Sequence, residues 1–290
     1  MPFVHHKFGK TYYKTTTKHK NKPKLVVLHG GPGSTHLALE FLLTAKLPFD
    51  VLVYDQIGAG KSSRIDKKYW RFSTFLYELK ALRQHLQLDE VHLMGVSWGT
   101  TLAIEHYLKT KGEGIMSLVL QSPMLSAKDW AADAKRLIKT LPKKHQMAIY
   151  HCSKVGAYDS TVFQEASLEF TKRFVCRGDL ESPLIKAVKK QFNEELYNHM
   201  WGPTEFEPLG SLSQFSRTRD LGRITCPSLL MCGTHDEATP KTSKKYVKKM
   251  KKARFVELKG CSHFASYEDP KQYVSKLSSF LTSLDGRALS

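Results

Sequence analysis

From Val91 to Lys109 the chain reads VHLMGVSWGTTLAIEHYLK, and no other stretch restricts its fold as tightly. A short apolar run ends in Gly95-Val96-Ser97-Trp98-Gly99 and passes without a spacer into a helical pattern. A Gly-x-Ser-x-Gly sequence placed between a strand and a helix forms a tight, strained turn, which small flanking residues permit and which lifts the serine above the sheet edge. Ser97 is therefore a candidate nucleophile. The plainer alternative is an ordinary helix N-cap serine.

The rest of the chain repeats the strand-then-helix rhythm. Apolar runs bounded by turn residues recur at 24–30 (KLVVLHG), 49–55 (FDVLVYD), 91–97, 117–123 (SLVLQSP), 228–234 (SLLMCGT) and 254–260 (RFVELKG). They are leucine-rich and β-branched and do not alternate cleanly, as strands buried on both faces of a parallel sheet should. Helical patterns lie between most of them, at 72–88, 100–110 and 270–284. This predicts an α/β fold with a mostly parallel, doubly wound sheet. The rhythm breaks between Leu125 and Leu212, which hold helical stretches but no buried strand. That interval is too long for a loop. A helical cap at 125–212, inserted between sheet-domain segments 1–124 and 213–290, is the economical reading, with the cap closing over the carboxyl ends of the strands.

Residues 55–63, DQIGAGKSS, end as a phosphate-cradling P-loop ends. The full motif needs a glycine five residues before Gly60, and Asp55 stands there, where its carboxylate would repel a phosphate. Another role must explain these glycines.

Lys and Arg outnumber Asp and Glu by 45 to 27, a formal net charge of +18. Much of the excess lies in the runs 18–24 (KHKNKPK) and 241–254 (KTSKKYVKKMKKAR); the second has helical spacing, with Tyr246, Val247 and Met250 as a narrow apolar stripe. Neither run interleaves aromatics as a single-strand binder does, and no nucleic-acid-binding motif accompanies them, so a solvated basic face is expected and no specific nucleic acid. The five cysteines are scattered without a C-x-x-C pair, which indicates neither a disulfide framework nor a zinc site. No run approaches the roughly 18 apolar residues of a membrane span, and MPFVHHKFGK lacks the apolar segment of a signal peptide. A soluble protein of the reducing cytoplasm is expected, without metal, cofactor or membrane partner.

A serine nucleophile needs a base, and the base a carboxylate to orient it; in this kind of sheet they follow in the order Ser, Asp or Glu, His. Asp236 lies just past the run ending at Thr234, and His263 just past the run ending at Gly260, both where strands end. His235 is a rival but precedes its acid and directly adjoins it. An oxyanion needs two backbone donors: Trp98 N–H, directly after the nucleophile, and an N–H from the loop His29-Gly30-Gly31-Pro32-Gly33, with Gly31 the candidate.

Taken in order, HGGPGSTH, YDQIGAGKS, GVSWGT, MWGPTEF, GTHDEATP and GCSHFASYEDP resemble the proline iminopeptidase family of α/β hydrolases, which includes the tricorn-interacting aminopeptidase. The resemblance spans roughly residues 25–282. It implies the α/β-hydrolase fold, and it makes DQIGAGKSS a structural loop beside the active site. It further implies that Glu205, in MWGPTEF, and Glu237, next to Asp236, bind the ammonium of the substrate. The expected activity is that of a serine exopeptidase removing an N-terminal residue, preferably proline, from short peptides with a free N-terminus. Two competitors share parts of this pattern: an amino-acid amidase or small-ester hydrolase with the same machinery, and a basic nucleic-acid- or membrane-surface-binding protein that merely uses the fold.

Overall fold

The computed structural model of the chain describes residues 2–19 and 22–285. Among these, the strands are β1 (Phe3–His6), β2 (Gly9–Thr15), β3 (Lys24–Leu28), β4 (Val51–Tyr54), β5 (Val91–Val96), β6 (Ile115–Gln121), β7 (Ser228–Gly233) and β8 (Ala253–Leu258). They form one sheet in the order β1-β2-β4-β3-β5-β6-β7-β8. β2 pairs antiparallel with both β1 and β4, and every later pairing is parallel. Each apolar run expected to be a strand holds one of β3 to β8. The hairpin β1–β2 was not anticipated, because antiparallel edge strands covered on few sides need no continuous apolar run.

The helices are α1 (Phe72–His85), α2 (Trp98–Lys109), α3 (Ala127–Ile138), α4 (Lys143–Val155), α5 (Thr161–Phe170), α6 (Pro183–Gln191), α7 (Glu194–Met200), α8 (Pro240–Val247), α9 (Ala265–Glu268) and α10 (Pro270–Asp285). Side chains alternate across each strand, so one strand serves two cores. In β3, Val26 and Leu28 join a core with Phe75 and Leu79 of α1 and Leu102 of α2, whereas Leu25 and Val27 join one with Tyr273 and Leu277 of α10. This two-sided burial explains the unbroken apolar runs. Helices α3 to α7 all lie between β6 and β7, and a π-turn at Thr171–Val175 follows α5. Phe163, Phe170, Phe174 and Phe206 centre a third core there, while Trp130 of α3 and Met200 of α7 pack into the first.

The chain goes from β3 to β4 on one side and then returns to place β5 on the other side of β3. Such a reversal opens a crevice at the carboxyl ends of the two flanking strands. Here those ends carry the HGGPG loop and Ser97.

The basic runs are differently placed than helical spacing alone suggested. In 241–254, α8 stops at Val247 and β8 begins at Ala253. Thr239 caps α8 by accepting from Thr242 N, and Pro240 opens it. Tyr246 and Met250 are buried, and the lysines between them stay exposed. Before Tyr246, Lys245 pairs with Asp129 at 2.9 Å and Lys244 with Glu257 at 3.3 Å. In the run 18–24, Lys20 and Asn21 lie outside the described residues. No helix among the described residues is long and apolar enough to cross a membrane.

Glu78 of α1 is fully buried. Its Oε1 accepts from the Thr11 hydroxyl and from Ile57 N at 2.7 Å, while Oε2 has no partner. Burial pushes its pKa up from 4.5 to about 8. A carboxyl raised in this way is protonated in both states below the unfolded value. Above that value the unfolded chain ionises freely and the fold does not, so stability falls between 4.5 and about 8 and then levels off. Glu78→Gln keeps the acceptor and removes the ionisation. It should raise the Tm above pH 8, by an effect on the order of a few kcal/mol, with the gain shrinking towards pH 5. A gain independent of pH would mean that Glu78 is not the titrating group.

Candidate active site

Ser97 caps α2 with φ +53° and ψ −119°, a region that costs a non-glycine residue about 1–3 kcal/mol. The flanking glycines make this turn possible. A Cβ on Gly95 would stand 2.3 Å from Gly99 O, and one on Gly99 would stand 2.2 Å from Leu28 O. The serine is thus pushed out at the end of β5 into a cavity of about 130 Å³. Gly31, Trp98, His263 and Glu205 line the same cavity, together with the aromatic rings of Trp130, Phe192, Tyr197, Trp201 and Phe264.

His263 Nδ1 lies 2.8 Å from Asp236 Oδ1. Asp236 is buried, and its carboxylate also accepts from Ala238 N at 2.8 Å, Ser122 Oγ at 2.5 Å and Gly233 N at 3.3 Å. These donors orient the acid towards the imidazole. Burial opposes the imidazolium of His263, but the charge and hydrogen bond of Asp236, helped by Glu205 and Glu268, outweigh it and hold the pKa above the ordinary imidazole value. Trp130 stands edge-on to the ring at 5.7 Å. Among the described residues, no hydrogen bond joins the Ser97 hydroxyl to His263; they meet as neighbours on the cavity wall. His235 is exposed and outside the cavity.

The N–H groups of Gly31 and Trp98 donate to no other group among the described residues. Trp98 is the first residue of α2, where an N–H has no partner within the helix. Two free donors therefore flank the serine.

The acidic end of the site is built from two elements. Glu205 lines the cavity, and its backbone oxygen accepts from Trp130 Nε1 at 2.9 Å. Glu237 lies behind the cavity wall, 2% exposed, with both carboxylate oxygens unpartnered and Oε1 3.8 Å from His263 Nδ1. Burial raises the pKa of both, and their mutual repulsion raises that of Glu237 further. Tyr197, whose buried hydroxyl has no hydrogen bond of good geometry, is pushed well above its ordinary value by burial and by these two acids. The segment before α6 reaches this end as well: Phe174 O accepts from both Glu237 N at 3.2 Å and His263 N at 3.3 Å.

The sequence from 23 to 270 matches the model of the α/β-hydrolase fold family. A proline iminopeptidase from Heyndrickxia coagulans is 40% identical over 278 residues, covering 95% of this chain and 96% of that protein. One from Lactobacillus helveticus is 35% identical over 289 residues, covering 98% and 97%. The chain belongs to the proline iminopeptidase family. A crystal structure of the Mycobacterium smegmatis proline iminopeptidase superimposes with a TM-score of 0.89 at 29% identity, covering 99% of each chain.

Within this family member, the DQIGAGKSS loop has its own explanation. Asp55 Oδ1 accepts from His36 N at 2.9 Å and lies 2.7 Å from His36 Nδ1; Oδ2 accepts from Lys61 N at 2.9 Å. A Cβ on Gly60 would fall 2.3 Å from this carboxylate. The loop wraps its own aspartate and leaves no cradle for a phosphate. Sequence reasoning did not single out Ser122, Trp130, Tyr197 or Gln56. Ser122 directly follows β6, a strand-end position that could have flagged it; the others come from a cap and a loop whose folding no local pattern announces.

Proposed function

We propose that this chain is a serine exopeptidase that releases an N-terminal residue, preferably proline, from short peptides through an acyl-enzyme. Ser97 attacks the carbonyl carbon of the first residue while His263 takes the hydroxyl proton. The imidazolium, stabilised by Asp236, then protonates the leaving amine, and water repeats the sequence on the ester. Gly31 N–H and Trp98 N–H receive the oxyanion. Residues 125–212 act as a cap over the core segments 1–124 and 213–290, supplying Glu205 and the aromatic wall.

The observation that carries this reading is the pair Glu205, half-buried in the wall of a small aromatic cavity, and Glu237, buried beside it, with no Lys or Arg paired to either among the described residues. Buried carboxylates are costly without a counterion, and the ammonium of a free N-terminus supplies one. Such a site accepts the first residue of a chain and rejects an internal one. A panel of aminoacyl anilides beside a simple ester tests it, and the proline anilide should give the highest kcat/KM. No helix suited to crossing a membrane is present among the described residues, and the reading needs only peptides in the cytoplasm.

His263 acts as a base only when neutral. Because its pKa is raised, kcat/KM should rise with pH through a midpoint above 6.5, the ordinary imidazole value. Glu205→Gln removes one of the charges responsible and should move that midpoint down. A pH–rate profile with its midpoint below 6.5 would contradict the arrangement, as would a loss in His235→Ala equal to that in His263→Ala.

A further inference from the structure

The geometry points to Gln56 as a positioning residue that aims both donors of the oxyanion hole through its backbone N–H and its buried side chain, a role that rests on the hydrolytic reading above. Gln56 lies in the loop after β4, is fully buried and does not line the cavity. Its Nε2 donates to His29 O at 3.0 Å, its Oε1 accepts from Trp98 Nε1 at 2.7 Å, and its backbone N donates to His29 Nε2 at 2.9 Å. One residue thus holds the HGGPG loop and the serine turn together.

The His29 ring carries the effect to the first donor. Its Nε2 accepts from Gln56, so the proton of the neutral ring sits on Nδ1, which donates to Gly30 O at 2.9 Å. Burial pushes the His29 pKa down to about 4, and the ring is neutral at any pH where His263 can act as a base. Gly30 O and Gly31 N–H belong to the same peptide unit. In a planar trans peptide the two point in opposite directions, so fixing the oxygen aims the hydrogen. Between two glycines no side chain hinders a flip of that peptide. The second donor, Trp98 N–H, belongs to the residue whose indole Gln56 grips, with Phe72 and Phe75 edge-on at 5.2 and 5.6 Å.

An oxyanion exists only in the tetrahedral adduct, so a residue that aims these donors affects the transition state and not the binding of substrate. A buried glutamine that only satisfies core polar groups would affect both alike. Prolinal and prolinol separate the two cases. Ser97 Oγ adds to the aldehyde carbon of prolinal, giving its proton to His263 and turning the carbonyl oxygen into an oxyanion. Prolinol keeps the ring and the ammonium but has no carbonyl. In Gln56→Glu and Gln56→Met, kcat for a proline anilide and the affinity for prolinal should fall together, by about tenfold to a hundredfold, with prolinol affinity within about threefold of wild type. Equal losses of prolinal and prolinol binding, or a kcat within about threefold of wild type, would overturn the role.

A measurement on the wild-type protein covers variants that fail to fold: nitrogen NMR of labelled histidine should find His29 in the Nδ1–H tautomer, and the Nε2–H tautomer would also overturn the role. Wild-type protein that neither cleaves the anilide nor binds prolinal rejects the aminopeptidase reading itself, and this role with it, an outcome distinct from any of the variant results.

Discussion

Ser97→Ala should lower kcat/KM for a proline anilide by roughly 10⁴- to 10⁶-fold, the range seen when a serine nucleophile is removed from an otherwise complete site. The Tm should stay within about 2 °C of wild type, because the Ser97 hydroxyl has no hydrogen-bond partner to lose among the described residues and the substitution leaves the backbone turn as it was. The remaining activity would come from the two backbone donors and from substrate positioning. A phosphonate directed at serine should label the wild type at Ser97 and leave the variant unlabelled. A variant that keeps more than about a tenth of wild-type turnover would place the nucleophile elsewhere.

Glu205→Gln and Glu237→Gln should each reduce kcat/KM for the proline anilide by about tenfold to more than a hundredfold, since charge-assisted hydrogen bonds contribute about 1.5–3 kcal/mol apiece. The double variant should lose less than the product of the single losses, because both acids act on one ammonium. Their different placement predicts an asymmetry. Glu205 lines the cavity and meets the substrate directly, whereas Glu237 lies behind the wall and close to His263. Glu205→Gln should therefore act through KM as well as through the lowered pH midpoint, and Glu237→Gln should act less through KM. Hydrolysis of a small neutral ester, which has no ammonium to place, should change by less than about threefold. Equal losses on amide and ester would mean that the glutamates support the fold or the triad.

The parts of this architecture that were legible in the sequence are those dictated by local physics. Strands buried on both faces read as unbroken apolar runs, and the turn at Ser97 announces itself because Gly95 and Gly99 have no room for a side chain. Asp236 and His263 could be named because active sites collect at strand ends. The β1–β2 hairpin was missed for the opposite reason: as a partly exposed edge it carries no such run. Local pattern also misjudged the stretch 241–254, where Tyr246 and Met250 are core residues but the helix ends between them. Gln56, Ser122 and Trp130 matter through partners 42 to 114 positions away, and Tyr197 through Glu205 and Glu237, and nothing local marks such pairings. The glutamates came from the family resemblance alone. Read singly, each is an ordinary charged residue, and only the fold brings both carboxylates within electrostatic reach of the catalytic end, Glu237 3.8 Å from His263 and Glu205 raising its pKa.

The central claim is that the site reads a free N-terminal amine before it cleaves, and one comparison tests it most directly. kcat/KM should be measured for proline anilide and for N-acetylproline anilide, which share the ring and the leaving group and differ in the charge on nitrogen. Acetylation removes the cation that Glu205 and Glu237 require and adds bulk in a cavity of about 130 Å³. The acetylated substrate should be slower by more than about a hundredfold, consistent with losing two charge-assisted contacts. Equal rates for the two anilides would show that the two acids do not select an amine, and the aminopeptidase account would be wrong.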